Sequence, residues 1–106
     1  MSPTTRVLIA RYQAQPGRGD EVAAALTEMA GAVRRDEPAC LLYRAARSLD
    51  RPDSFVLYEE YRDQRALEAH RETPHFKRLI EGTVVPLLVS REREVAVPVA
   101  EPDVPP

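Results

Sequence analysis

Two histidines, one glutamate and four aromatic side chains carry what chemistry this sequence offers. His70 and His75 are the only histidines in 106 residues, and they flank Thr73-Pro74 within "YEEYRDQRALEAHRETPHF", residues 58–76. An imidazole titrates near neutrality, so either ring can take a proton from a phenol and return it. Glu59 lies just upstream and can orient an imidazole or fix its tautomer; an ion pair with one of the arginines is the alternative. Tyr43, Phe55, Tyr61 and Phe76 can wall a site for a flat aromatic ligand, or pack as ordinary core. For the histidines the plain alternative is hydrogen bonding at a helix junction around Thr73-Pro74.

Other chemistries lack their groups. Four glycines form no phosphate-binding loop, and no Gly-x-Ser-x-Gly elbow occurs. The histidines are five apart across an expected helix break, not at the i,i+4 spacing that grips zinc, and the single cysteine has no mate, so no metal site is expected. Cys40 is expected to be buried and inert, in a chain suited to a reducing cytoplasm. The net charge of −2, from 17 acids and 15 bases, comes with no basic run. Neither nucleic acid nor an anionic membrane is therefore an expected partner. The apolar runs are too short for a membrane span, and "MSPTTRVLIARY" lacks the order of a signal peptide. Arginine supplies all but one of the bases, Lys77, and with abundant Ala and Pro this points to a GC-rich bacterial genome.

The elements that must position these groups follow from periodicity. Residues 6–14 alternate as a strand that stops at the Pro16-Gly17 turn signal. From Arg18, Val22, Leu26, Met29, Ala30 and Val33 fall at helical spacing. Asp20 and Glu21 lie in the first turn and Arg34 and Arg35 in the last, as the helix dipole favours; Asp36-Glu37-Pro38 ends the helix. "CLLYRAARS" and "SFVLYEEYR" read as a hairpin joined by "LDRPD". In its second strand Phe55, Leu57, Glu59 and Tyr61 share one face, with Val56, Tyr58 and Glu60 on the other. Asp63 is the expected cap of a short helix carrying Leu67 and His70. Thr73-Pro74 restarts the helix, with Phe76, Leu79, Ile80 and Thr83 as its buried stripe. The kink should set His70 and His75 at one edge of a pocket between helices and sheet, approached by Glu59 and Tyr61. "LLVSREREVAV" reads as a final strand. Residues 1–97 thus form one domain, and the Pro-rich tail 98–106 has no stripe to bury and should be loose or wrap a neighbour.

Strand, helix, strand, strand, helix pair, strand is the order of an α+β chain with the split βαβ, or ferredoxin-like, plan. Its antiparallel sheet would carry helices on one face only. The other face also bears apolar residues, and burial against a second copy makes a homodimer the expected state.

The residues Glu37, Pro38, Cys40 and Tyr43, then Phe55, Tyr58, Glu59 and Tyr61, then Ala66, His70, Thr73, His75 and Phe76 occur in an order that resembles the antibiotic biosynthesis monooxygenase family. The resemblance covers roughly residues 5–96. It implies a ferredoxin-like chain dimerising sheet to sheet, often with the C-terminal strand reaching across. Some relatives oxygenate phenols, hydroquinones or anthrone-like polyketides with O2 and no metal, flavin or haem. A deprotonated electron-rich phenol can pass an electron to O2 directly, so the protein need only bind, deprotonate and exclude water. The chain has neither Trp nor Asn, on which the haem-degrading branch relies, and Tyr61 stands where the polyketide branch has Trp. The leading expectation is a cofactor-independent monooxygenase using O2 as co-substrate, with His70 or His75 as base and Glu59 as orienter. Tyr61, Phe55, Phe76 and Tyr43 would hold a small aromatic substrate. The alternatives are an isomerase or cyclase of a small carbonyl compound using the same base, and a non-catalytic dimeric small-molecule-binding domain.

Overall fold

The computed structural model describes residues 4–100; the last six residues of the expected tail lie outside them. Strand β1 spans Arg6–Ala14, helix α1 Gly19–Asp36, and the hairpin β2 Cys40–Arg47 and β3 Ser54–Tyr61. Helix α2 is Gln64–His70, and a π-wound helix, α3, runs Phe76–Val84. A 3₁₀ turn, Val85–Leu87, then leads into β4, Leu88–Ala96. The four strands form one antiparallel sheet in the order β2-β3-β1-β4, the ferredoxin-like arrangement.

Alternation and register decide what each face of the sheet carries. On the helix-facing side, Tyr43, Glu59 and Leu8 lie abreast across β2, β3 and β1, followed by Val95 on β4. The next rows are Ala45, Leu57, Ala10 and Arg93, then Arg47, Phe55, Tyr12 and Arg91. Ala10, Tyr12, Phe55 and Leu57 from these rows pack with Val22, Leu26, Met29 and Val33 of α1 and with Phe76, Leu79, Ile80 and Val84 of α3 to make the main core. Leu8, Tyr61 and Leu67 form a second, smaller cluster under α2. The opposite face has no helix over it and presents Ile9, Val56 and Tyr58 among charged neighbours such as Arg11, Arg44 and Glu94.

Thr83 is not part of the buried stripe of α3, as the sequence had suggested; it is exposed and Val84 is buried in its place. The cause is the winding. The N–H of Val85 bonds to the carbonyl of Ile80, five residues back, so each turn is wider than an α turn and the apolar face shifts by one residue. In α1, which is a regular α-helix, Ala25 and Ala32 are buried while Ala30 is only partly so.

Helix α1 starts without a side-chain cap from its own end. Asp53, in the β2–β3 loop, accepts from the N–H of Gly19 at 2.9 Å and from that of Gly17 at 3.1 Å. Gly17 takes a φ of +81°, which glycine adopts at no steric cost. Any Cβ on Gly19 would collide with the carbonyl oxygen of Pro52. Helix α2 is capped locally by Asp63, whose carboxylate accepts from the N–H of Ala66 at 2.8 Å.

Candidate active site

The junction between α2 and α3 follows from three residues. Thr73 Oγ1 donates to the carbonyl of His70 at 2.8 Å and accepts from the N–H of Phe76 at 3.2 Å, closing one helix and opening the next. Pro74 sits where the new helix needs no donor. His70 is thereby fixed at the end of α2, 2% exposed, and His75 at the start of the next turn, 8% exposed.

Both imidazoles meet one carboxylate, that of Glu37 just past the end of α1. His70 Nδ1 lies 2.9 Å from Glu37 Oε1 and His75 Nε2 lies 2.5 Å from Glu37 Oε2. Burial works to raise the Glu37 pKa, but the hydrogen bonds and charges of His70 and His75 outweigh it and hold this carboxyl below the ordinary range. With Nδ1 committed to Glu37, the other nitrogen of His70, Nε2, faces Glu59 Oε1 at 3.7 Å. That gap is longer than a hydrogen bond. Glu59 is 3% exposed and accepts from the Tyr61 hydroxyl at 2.5 Å. Burial raises its pKa above the ordinary value, against the opposing pull of Tyr61, His70 and Arg93. The rings of Tyr43, Tyr61 and Phe76 surround His70 at centroid distances of 5.9, 5.3 and 5.2 Å.

A narrow cavity opens beside this cluster, over β1 towards the edge strand β4. Glu59, His70, Tyr12, Tyr43, Phe76 and Ile80 line its inner part, and Arg71, Arg91 and Arg93 its outer part. It encloses about 10 Å³, room for about one water molecule. Its outer wall consists of long, exposed arginine side chains. Of the residues marked out by the sequence, Glu59, His70, Tyr43 and Phe76 line the cavity. Tyr61 lies behind Glu59, and His75 is turned to Glu37. Phe55 packs in the main core, away from the cavity, under the guanidinium of Arg47. Among the described residues no group of three or more His, Cys, Asp or Glu is placed to hold a metal ion.

The pattern of the antibiotic biosynthesis monooxygenases matches residues 5–82, a stretch that contains every residue of the Glu37–His70–His75–Glu59 cluster. The chain belongs to the antibiotic biosynthesis monooxygenase family. Solved structures of similar shape include a candidate antibiotic biosynthesis monooxygenase from Bacteroides thetaiotaomicron, 32% identical, with a TM-score of 0.84 over 92% of this chain and 91% of that one. Rv0793 from Mycobacterium tuberculosis is 30% identical, with a TM-score of 0.83 over 94% of this chain and all of that one. PA3566 from Pseudomonas aeruginosa is also 30% identical, with a TM-score of 0.82 over 94% and 99%. No curated protein matches the chain. No helix of the described residues is long and apolar enough to cross a membrane.

Two groups that shape the site of this antibiotic biosynthesis monooxygenase family member were not among the candidates raised by the sequence. Glu37 reads there as a helix terminator, and only its place in the family pattern marks it. Arg91 and Arg93 share the parity of Val89 and Val95 in the final strand, but the run of four charged residues at 91–94 hides which of its two sides faces the cavity. Cys40 is half-buried, and burial, with the nearby Glu37 and Glu59, pushes its thiol up to about 12, so it stays protonated at neutral pH.

Proposed function

We propose that the protein is a cofactor-independent monooxygenase that oxidises a hydroxylated aromatic with O2, working as a homodimer. The observation that carries this reading is the pairing of His70 Nε2 with Glu59 Oε1, 3.7 Å apart, on the wall of a cavity also lined by Tyr12, Tyr43 and Phe76. A phenol hydroxyl entering the gap meets an imidazole nitrogen and a carboxylate whose pKa is raised, so its proton has two neighbouring acceptors. Glu37 holds the Nδ1 side of His70, which leaves Nε2 for the substrate. The resulting phenolate is electron-rich enough to pass an electron to O2. Combination of the two radicals forms a C–O bond, and loss of water from the hydroperoxide leaves a ring carbonyl. One oxygen atom of O2 stays in the quinone and the other leaves as water with the two hydrogens lost from the ring carbon and the hydroxyl; the substrate supplies all the electrons. The homodimer is supported by the uncovered face around Ile9, Val56 and Tyr58, and by the exposure of edge strand β4.

An oxygen electrode with a dihydroxynaphthalene as probe tests the reading. The expected result is O2 uptake above autoxidation, with label from 18O2 in the new carbonyl and a loss of about a hundredfold or more in His70→Ala. Uptake equal to that without protein, or undiminished in His70→Ala, would overturn it. Turnover of a carbonyl compound with no O2 consumed would point instead to an isomerase using the same base.

A further inference from the structure

The outer half of the cavity is built from three guanidinium groups that the proposed chemistry does not use. Arg91 and Arg93 alternate on the helix-facing side of β4, abreast of Tyr12 and Ala10. Arg71 reaches the same opening from the end of α2. Among the described residues none of the three takes part in an ion pair, whereas Arg18, Arg47 and Arg78 on other surfaces each hold a carboxylate. Arg91 lies 6.0 Å from the centre of the Tyr12 ring, its flat group over the aromatic wall. Burial lowers the Arg93 pKa, and the like charges of Arg71 and Arg91 lower it further. The acid on the cavity wall is Glu59, at the inner end and already bonded to Tyr61. The outer end is thus a cluster of like charges in which no guanidinium has a carboxylate at ion-pair distance, although Glu68 and Glu72 line the neighbouring surface groove with Arg71.

We infer that Arg91 and Arg93, with Arg71, bind a carboxylate on the substrate, so that the pocket takes a hydroxylated aromatic acid with its phenol at His70 and Glu59 and its carboxylate at the arginines. The inference rests on the reading of this cavity as the substrate site and names the class of molecule it holds. Glu59 is on β3 and the two arginines are on β4, with β1 between them. Two strand spacings, roughly 10 Å, is a span that one or two fused rings with opposed polar groups can bridge. A guanidinium offers parallel N–H donors that match the two oxygens of a carboxylate, and an aromatic face beside it holds the ring. The arginines are exposed and on long stems, so the outer end of the cavity can widen, and a ring that reaches His70 and Glu59 must also part the inner walls at Tyr12, Tyr43 and Phe76.

The test is equilibrium binding without O2, by isothermal titration at low ionic strength, of 6-hydroxy-2-naphthoate and its neutral methyl ester. The acid should bind about tenfold or more tightly than the ester, the difference expected of a charged hydrogen-bonded pair. Added salt should shrink that difference. The double variant Arg91→Gln/Arg93→Gln should lose the preference for the acid, with its circular dichroism spectrum retained. Equal affinity for acid and ester, no binding of either, or an acid preference intact in the double variant would each overturn the inference. Should the acid bind through the arginines while no substrate ever consumes O2, the monooxygenase reading fails and the anion site stands. Should neutral phenols turn over with O2 and no acid be preferred, the reverse holds.

Discussion

Glu37 and His70 are 33 residues apart in sequence, yet the carboxylate of one lies 2.9 Å from Nδ1 of the other. The contact joins the end of α1 to the end of α2 and sets which imidazole nitrogen faces the cavity. Glu37→Ala would leave two buried imidazoles without their partner. It should cost about 2–4 kcal/mol in urea unfolding, the scale of a broken buried charged network. Glu37→Gln should lose less, and should show a smaller dependence of stability on pH in the acid range. The sign follows from the depressed pKa. The stabilisation is full above the ordinary carboxylate value of 4.5 and is lost as pH falls through the lower folded value. Wild-type stability that does not change as pH falls below 4.5 would contradict this.

Glu59 should behave in the opposite sense. Its pKa is raised by burial, so its contribution to stability is present below the ordinary value and is lost as pH rises through the folded one. Glu59→Gln removes a buried charge and keeps an oxygen for the Tyr61 hydroxyl. The variant should therefore be more stable than wild type at pH 8, with little difference at pH 4, and should turn over a phenol substrate more slowly. Urea midpoints at the two pH values, measured with the rate, check it.

The two histidines should separate by phenotype. His70 lines the cavity and His75 does not. His70→Ala should lower turnover by about a hundredfold or more, while His75→Ala should mainly lower stability, by about 1–3 kcal/mol, through the loss of its bond to Glu37. Equal losses of turnover in both variants, with folding intact, would show that His75 also reaches the substrate.

Ile9 on β1 lies opposite Tyr58 on β3, on the sheet face without helices. If that face joins two copies, Ile9→Glu should place a charge in the middle of the interface. Light scattering at micromolar concentration should give a dimer for wild type, with a buried area of about 2,000 Å² or more, and a monomer for the variant. A monomeric wild type would refute the assembly.

Much of this architecture is legible in the sequence because its signals are local. The nine residues of β1 end at Pro16-Gly17, Asp63 caps α2, and Thr73-Pro74 marks the restart. Strand alternation places Phe55, Glu59 and Tyr61 on one face. Alternation assigns a face and not a place along it, however, and so does not tell that Phe55 lies in the core while Glu59 reaches the cavity. The displacement of Thr83 by Val84 was hidden because apolar spacing is read on an α period, and α3 is wound more widely. Glu37 was hidden for another reason: its partners are remote in sequence, and no local pattern encodes a meeting of three chain segments.

The bonds from Asp53 to the first turn of α1 have a kinetic meaning. Asp53 lies 34 residues beyond Gly19, in the loop of a hairpin that is synthesised after the helix. Nucleating a helix is unfavourable, and a cap is worth about 1 kcal/mol where it acts. Here the N–H groups at the helix start find their acceptor only once β2 and β3 have paired. An isolated peptide of residues 17–37 should thus fray at its N-terminal end, and hairpin closure and helix growth should occur as one event. Order of synthesis and order of folding part company at this loop: the first helix of the chain waits for the second and third strands.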